Sequence, residues 1–181
     1  MRRGRFIAVV GPSGVGKDSV MSALARADDR FQLVRRVITR APEAGGEDYE
    51  AVDLPRFKEL EAGGAFALSW HAHGLAYGIP AEVDTVLAQG KDVLANLSRG
   101  VLVEANARFS PFMVLSLTAP KSMLAARLVG RGRETVADIK ARLERAEKAL
   151  PTGLHVVQIA NDGSLNQTVD HVRAALQAES A

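Results

Sequence analysis

VVGPSGVGKDSV, at residues 9–20, is the stretch that indicates the fold of this 181-residue chain. It fits the phosphate-binding pattern G-x-x-x-x-G-K, with Gly11, Gly16 and Lys17 at the required spacing. An apolar run precedes the loop and a helical pattern follows it, which is the strand–loop–helix context that such loops need. The glycines let backbone N–H groups turn inward, and those groups cradle phosphate oxygens together with the helix N-terminus. The stretch therefore predicts a site for nucleotide phosphates.

Asp18 departs from the pattern, which has serine or threonine after the lysine, and it has two interpretations. A carboxylate here can hold Mg²⁺, directly or through water, because Mg²⁺ prefers hard oxygen ligands. Ser19 is a secondary candidate for that role. Alternatively, Asp18 only caps the following helix. The residues predicted to hold the ATP phosphates and Mg²⁺ are Gly11, Pro12, Ser13, Gly14, Val15, Gly16, Lys17, Asp18 and Ser19.

The composition is that of one ordinary globular domain, predicted to span residues 1–181. Lysine and arginine number 23 against 21 acidic residues, and the absence of cysteine excludes disulfides and cysteine-based zinc sites. No apolar run approaches the roughly 18 residues of a membrane span, so we expect a cytoplasmic chain with no membrane partner. The arginines cluster around a predicted pocket, which disfavours nucleic acid as a partner. No pattern indicates an oligomeric state.

Apolar runs alternate with helical patterns along the chain. The predicted buried strands are 5–10, 31–39, 92–97, 112–119 and 154–160, with a hairpin at 65–80 that turns near His73-Gly74. The predicted helices are Asp18 to about Ala27, Asp53 to Ala62, one starting at Pro120, one with a stripe of Ile139, Leu143, Ala146 and Leu150 after Thr135, and one after Ser164. Unbroken apolar strands between helices favour a parallel sheet covered on both faces, in the α/β class.

Three blocks resemble the guanylate kinase family over nearly the whole chain: GPSGVGKDS (11–19), ITRAPEAGGEDYEAV (38–52) and RLVGRGRETVADIKARLERA (127–146). The resemblance implies a three-layer P-loop fold of the nucleoside monophosphate kinase type with a parallel five-stranded core sheet. It also implies a small acceptor-binding hairpin subdomain at about 36–80 and a helical lid at about 127–148.

The same resemblance implies ATP and Mg²⁺ as cofactors and assigns roles to several side chains. Arg40 and Tyr49 would hold the acceptor phosphate, and Asn161 would approach the ATP base, although a plain turn at the helix start is an equal alternative. Arg131 and Arg142 would close over the transferring phosphoryl group as catalytic residues with Lys17. Such a transfer needs positioning and positive charge, which arginines on a mobile lid supply while excluding water.

The chain departs from the family where the family contacts guanine. Arg36 stands in place of a serine, Ser69 in place of a guanine-binding glutamate, and Arg99 follows positions that have lost their aspartates. Arg36 and Arg40 alternate on the predicted strand 31–39 and are expected to share a face. A carboxylate about 4 Å from a phosphate costs about 4 kcal/mol at an effective dielectric near 20, so its loss favours a second phosphate over a base.

RVITRAPEAGGEDYEAV (36–52), FALSWHAHGLAYGIPAE (66–82) and NLSRGVL (96–102) resemble one branch of that family, the ribose 1,5-bisphosphate phosphokinases of phosphonate breakdown. The resemblance implies a phosphosugar substrate, with ATP phosphorylating the C1 phosphate of ribose 1,5-bisphosphate to give 5-phosphoribosyl 1-diphosphate and ADP. The residues it places at the sugar and distal phosphate are Arg36, Ser69 and Arg99, with Tyr77 lining the acceptor pocket.

Two other functions fit parts of this pattern. One is a guanylate or other nucleoside monophosphate kinase with unusual base contacts, and the other is an inactive binding module that docks phosphorylated peptides. The retained Lys17 and lid arginines disfavour the module. His71 and His73 alternate on one strand face, but with no third ligand near in sequence a solvated edge or weak phosphate donors are favoured over zinc. Trp70 is expected to pack in the core.

Overall fold

The computed structural model describes residues 2–44, 46–132, 134–145 and 148–180. The elements follow one another as β1 (Phe6–Val10), α1 (Lys17–Ala27), β2 (Phe31–Leu33), β3 (Val37–Ile38), β4 (Glu50–Ala51), α2 (Leu54–Ala62), β5 (Phe66–Ala72), β6 (Leu75–Pro80), α3 (Val83–Ala88), β7 (Asp92–Asn96), α4 (Leu102–Arg108), β8 (Phe112–Thr118), α5 (Lys121–Gly130), α6 (Val136–Arg145), β9 (Val156–Ala160) and α7 (Leu165–Ala178). In the described part of the chain, no helix is both long and apolar enough to cross a membrane.

The core is a five-stranded parallel sheet in the order β2-β7-β1-β8-β9. Its central strand β1 is buried at every residue, because Ile7 and Val9 pack toward α1 and α7 while Phe6, Ala8 and Val10 pack on the opposite face. Unbroken apolar runs are therefore needed in the middle of the sheet, and the predicted α/β class is confirmed. All strands are parallel, so their carboxyl ends meet at one edge, where the loop after β1 lies.

The strand predicted at 154–160 is shorter than expected and is not buried. β9 begins at Val156, and exposed residues alternate with half-buried ones along it. It lies at the end of the strand order, so only one of its edges is paired. The predicted lid stripe is also partly wrong: Ile139 is buried on α6, but Leu150 lies beyond the helix. Ala146 lies outside the described residues.

The strand predicted at 31–39 is two strands in two sheets. β2 pairs with β7 in the core, and β3 joins a second sheet in the order β4-β3-β6-β5. The predicted hairpin forms the antiparallel half of that sheet, turning at His73 and Gly74 with φ of 53° and 73°. Because β3 spans only two residues, Arg36 precedes it and Arg40 follows it. The sequence predicted that the two arginines alternate along one strand, and this prediction is wrong because neither lies within β3.

Three helices begin where the sequence predicts, at Asp53, Thr135 and Ser164, and each of these side chains caps its helix. The Asp53 carboxylate accepts a hydrogen bond from the backbone N–H of Arg56 at 2.8 Å. Thr135 and Asp138 bond each other's backbone N–H groups reciprocally at 3.2 Å. Ser164 forms the same kind of capping box at the start of α7. These contacts explain why local sequence set the helix starts correctly.

Candidate active site

In the loop between β1 and α1, Gly16 and Gly11 occupy positions where a side chain would be strained or would clash. Gly16 caps α1 with φ of 94°, and a Cβ atom on it would lie 2.9 Å from Nδ2 of Asn161. A Cβ on Gly11 would lie 2.7 Å from the carbonyl oxygen of Leu117. Gly16 occupies the capping position, so Asp18 lies in the first turn and is not the cap. The unpaired N–H groups of that turn give the loop its capacity to bind anions.

Asn161 braces this loop from behind. Its Nδ2 donates to the carbonyl oxygen of Val15 at 2.6 Å, and its Oδ1 accepts from the Thr168 hydroxyl at 2.6 Å. Arg127 reaches the same place and donates to the backbone oxygens of Val15 and Asn161 at 3.3 and 3.0 Å. Asn161 is only 6% exposed and Val15 is fully buried. The two buried side chains therefore support the loop, and the contacts of Val15 and Asn161 with ATP stay predictions.

Lys17 lies inside the loop and is surrounded by charge. Its Nζ donates to the carbonyl oxygen of Gly11 at 2.8 Å. Burial lowers the pKa of Lys17 to about 8, and Arg36, Arg131 and Arg99 act in the same direction, whereas Asp18 opposes them. A buried lysine with a lowered pKa that lies beside three arginines in a cleft is typical of a functional site.

Asp18 carries the feature that fits a metal ion. Its Oδ1 atom is buried and has no hydrogen-bond partner, and burial, followed by the nearby Glu47 carboxylate, raises the Asp18 pKa. A divalent cation would bind that oxygen and stabilise the charged form of the carboxylate. Among the described residues, no group of three histidine, cysteine or acidic side chains is arranged to hold a metal. A Mg²⁺ ion at Asp18 would accordingly take its other ligands from phosphates and water, as Mg²⁺ commonly does.

A cleft of about 920 Å³ opens above the loop, between the second sheet and the lid helix α6. Its basic lining residues are Lys17, Arg36, Arg40, Arg99, Arg131, Arg142, Arg145 and Lys148, and its acidic ones are Asp18, Glu47 and Glu104. The cleft brings most of the predicted site residues together. Those that do not line it are Val15, Tyr49, Ser69 and Asn161.

The lid arginines reach the phosphate loop. Arg142 donates from Nη1 to the Ser13 hydroxyl at 3.2 Å and pairs through Nη2 with Oε1 of Glu134 at 2.9 Å. Arg131, at the end of α5, lines the same part of the cleft. Arg99 donates to the backbone oxygen of Arg145 at 3.1 Å and so connects the core to the end of α6. Two parts of the chain thus supply positive charge above the phosphate loop: the region of α5 and α6, with Arg131 and Arg142, and the segment after β7, with Arg99.

Arg36 is committed to protein partners. It donates to Glu47 from Nε at 2.9 Å and also from Nη2, and its Nη1 donates to the backbone oxygen of Asn96 at 2.9 Å. Its guanidinium lies 5.0 Å from the centre of the Tyr77 ring. These bonds use three of the five guanidinium N–H donors of Arg36, which lines the cleft, and its contact with a substrate phosphate stays a prediction. The pocket has not lost its carboxylate, since Glu47 lies there.

Arg40 differs from Arg36 in having donors to spare. Its guanidinium lies 4.2 Å from the centre of the Tyr49 ring, which fixes its plane. Its Nε and Nη2 are buried without a hydrogen-bond partner, and Glu47 Oε1 lies 3.8 Å from Nη2. The Tyr49 hydroxyl donates to the backbone oxygen of Ala41. Tyr49 thus supports Arg40 and does not line the cleft itself.

The turn end of the hairpin lines one side of the cleft, through Trp70, His71, Ala72, His73 and Tyr77. Trp70 stacks on Tyr77 with ring centres 5.2 Å apart and donates to the Ser98 hydroxyl at 2.9 Å. Both rings are buried, as expected of Trp70, and both also line the cleft. Ser69, one residue earlier, donates instead to Glu61 Oε1 at 2.6 Å on the α2 side. Ser69 was predicted at the sugar end, but its hydroxyl is bound to Glu61 and the residue does not line the cleft.

The sequence matches the family model described as guanylate kinase over residues 3–179. The chain belongs to the guanylate kinase family. It is 53% identical over 180 residues to a ribose 1,5-bisphosphate phosphokinase from Ruegeria sp. (strain TM1040), covering 99% of this chain and 95% of that protein. It is 44% identical to another ribose 1,5-bisphosphate phosphokinase, from Pseudomonas fluorescens (strain SBW25), covering 96% and 95%.

A longer relative contains a region similar to this guanylate kinase family member. It is the bifunctional ribose 1,5-bisphosphokinase-thymidine phosphorylase of Cupriavidus pinatubonensis, 42% identical across 96% of this chain but only 29% of that protein. Among solved structures, guanylate kinase from Anaplasma phagocytophilum superposes with a TM-score of 0.62 at 17% identity, over 98% of this chain and 86% of that one. At this level of identity the structural similarity shows the shared fold and does not indicate the substrate.

Proposed function

We propose that this chain transfers the γ-phosphoryl group of ATP to the C1 phosphate of ribose 1,5-bisphosphate, giving 5-phosphoribosyl 1-diphosphate and ADP. The observation that carries the proposal is the 53% identity, along 99% of the chain, to a protein with the name of that activity. The arginine-lined cleft is consistent with two polyphosphorylated reactants. The setting we propose is phosphonate breakdown in the cytoplasm.

The phosphate loop holds the donor nucleotide. Gly11 to Ser19 surround the ATP phosphates with backbone N–H groups, and the Lys17 ammonium approaches the outer phosphates after leaving the Gly11 carbonyl. Asp18 would hold Mg²⁺ through its unpartnered oxygen. Such an ion, when bound, neutralises phosphate charge and orients the chain of phosphates.

Arg40 holds the acceptor phosphate with its unpaired donors, in a plane fixed by Tyr49. An oxygen of the C1 phosphate forms a bond to the γ-phosphorus, the bond from that phosphorus to the β–γ bridging oxygen breaks, and ADP leaves with the electron pair. Arg131 and Arg142 place positive charge on the equatorial oxygens during this displacement. The contact of Arg142 with Ser13 puts that charge directly over the loop.

The far end of the cleft receives the 5-phosphate of the sugar. The residue we assign to this phosphate is Arg99, which lines the cleft, is half-buried and has one nitrogen on the Arg145 carbonyl. Lys148, His71 and His73 line it as well. Tyr77 and Trp70 form the apolar wall against which the ribose ring lies. Arg36 contributes through Glu47, as argued below.

The acceptor profile with Mg²⁺ and ATP tests the proposal. Coupled ADP release is measured with ribose 1,5-bisphosphate and with GMP, and ³¹P NMR identifies the diphosphate product. We expect kcat/KM to favour the phosphosugar by about 100-fold or more, a difference of about 3 kcal/mol. A larger kcat/KM for GMP would identify a nucleotide kinase instead, and the absence of ATP binding in calorimetry would indicate a binding module.

Arg40→Ala and Arg35→Ala form a matched pair for the acceptor site. Arg35 is exposed on the same segment and pairs with the exposed Asp48 at 3.1 Å. Arg40→Ala is expected to lower kcat/KM for the acceptor about 100-fold with the ATP Kd unchanged, because a charge-assisted bond to phosphate is lost. Arg35→Ala should leave both unchanged. Equal losses in the two variants would remove Arg40 from the site.

A further inference from the structure

An ion pair is built into the acceptor wall of the cleft. The Arg36 side chain is 6% exposed and Glu47 is 15% exposed, and they share two hydrogen bonds. The Asn96 carbonyl and the Tyr77 ring hold Arg36 on its remaining sides. A bidentate pair with this much packing keeps one geometry. The pair is therefore a fixed part of the wall that the acceptor meets.

Glu47 faces the cleft beside the arginine assigned to the acceptor phosphate. Its Oε1 lies 3.8 Å from Nη2 of Arg40, which is too long for a hydrogen bond and leaves the Arg40 donors for a ligand. A carboxylate accepts hydrogen bonds and donates none. The substrate group that fits next to a phosphate on Arg40 is consequently a hydrogen-bond donor, and a sugar phosphate carries a hydroxyl on the neighbouring carbon.

Arg36 makes this arrangement compatible with a phosphate. A bare carboxylate about 4 Å from a phosphate weakens binding roughly a thousandfold at an effective dielectric near 20. The guanidinium of Arg36 cancels most of that repulsion while it leaves one acceptor position on each Glu47 oxygen. The pair thus combines tolerance of a nearby phosphate with the ability to accept a hydroxyl proton in a hydrogen bond.

We propose that Glu47 recognises the sugar, its carboxylate accepting a hydrogen bond from the hydroxyl next to the phosphate-bearing carbon, and that Arg36 is the positioning residue that holds it. The ligand class is a sugar 1-phosphate with a free 2-hydroxyl. This inference rests on the proposed function and adds to it the group that selects the acceptor.

The first test compares ribose 1,5-bisphosphate with 2-deoxyribose 1,5-bisphosphate as acceptors. A hydrogen bond to a charged group predicts about 10- to 100-fold lower kcat/KM for the deoxy sugar in the wild-type protein. In Glu47→Gln the amide oxygen faces the Arg36 donors, and the amide NH₂ group faces the sugar. The preference should then fall, to about two- to tenfold, because the sugar hydroxyl can only accept a neutral hydrogen bond from that NH₂ group. Glu43→Gln, on an exposed turn of the same segment, is the control and should keep the full preference.

The second test uses rescue to separate Arg36 as a positioning residue from Arg36 as a phosphate ligand. Arg36→Ala leaves Glu47 uncompensated and should lower kcat/KM about 100-fold or more, through the acceptor KM. Adding Glu47→Gln to Arg36→Ala removes the repelling charge and should recover at least about tenfold. A lost phosphate ligand would not be recovered in this way.

The outcomes separate the two proposals. Equal rates of the wild type on both sugars, an undiminished preference in Glu47→Gln, or a double variant no better than Arg36→Ala would each overturn the role of Glu47 and leave the reaction standing. A wild type that phosphorylates neither sugar would overturn the reaction, and the role of Glu47 with it. If Arg36→Ala does not fold, as judged by its thermal transition, the comparison of sugars in Glu47→Gln decides alone.

Discussion

ATP affinity should depend on pH through a single side chain, Lys17. Burial holds the Lys17 pKa at about 8 in the unliganded protein, so its protonated fraction falls from about 0.9 at pH 7 to about 0.1 at pH 9. ATP phosphates bind the charged form, and their negative charge returns the pKa toward its ordinary value in the complex. The ATP Kd should therefore rise about tenfold between pH 7 and pH 9.

Isothermal titration calorimetry without acceptor measures this effect directly. At pH 9, buffers of different ionisation enthalpy should reveal uptake of nearly one proton for each ATP bound, whereas uptake at pH 7 should be small. Lys17→Arg carries a charge that does not titrate in this range, so it should show neither the rise in Kd nor the uptake. A flat wild-type profile, or the same profile in Lys17→Arg, would refute the reasoning. The stability of the protein without ATP should change in the other direction. Because the Lys17 pKa is about 8 in the folded chain and 10.5 in the unfolded one, the free energy of unfolding should increase as pH rises above about 8.

Three further perturbations test other parts of the chain. Asp18→Asn should raise the half-saturating Mg²⁺ concentration in the ADP-release assay about tenfold, because an amide oxygen is a weaker ligand than a carboxylate; an unchanged requirement would end the metal role. Arg142→Ala should lower kcat about 100- to 1000-fold with the ATP Kd nearly constant, whereas Lys140→Ala, exposed on the same helix, should change neither. Asp92→Ala should destabilise the fold by about 3–5 kcal/mol in urea titration, since it leaves the buried Arg5 unpaired, while Asp84→Ala, which breaks the more exposed pairs with Arg3 and Arg108, should lose less than about 1 kcal/mol.

The core of the fold was predictable because its signals are local. A buried central strand must be apolar throughout, and a glycine loop followed by a helix fixes where that strand ends. Capping residues set the starts of α2, α6 and α7 for the same reason. The division of 31–39 between two sheets has no local signal, since apolar residues occur on both sides of Arg35 and Arg36. Which sheet each half joins is decided by strands far away in sequence.

The phosphate half of the site was predictable from motifs, but the direction of individual side chains was not. Spacing placed Lys17 and Asp18 at the loop, and lid arginines reached it from another element. By their positions in the sequence, Asn161 and Ser69 were equally good candidates for contacts with ATP and with the sugar. The structure buries the first behind Val15 and turns the second toward Glu61. Such outcomes depend on contacts with residues far away in sequence, which the spacing of a motif does not show.

Glu47 was missed because its significance lies in a pairing that sequence order conceals. Eleven residues separate it from Arg36, and β3 and β4 bring them together only when they pair side by side. The consequence extends to selectivity. The loop and lid serve phosphoryl transfer to any phosphate acceptor, so substrate choice has to be made at the wall beyond Arg40. That wall offers stacked rings and one carboxylate whose oxygens each already accept from Arg36. Each of these oxygens keeps one acceptor position, so the proposed recognition of the sugar needs only a single hydroxyl directed at Glu47.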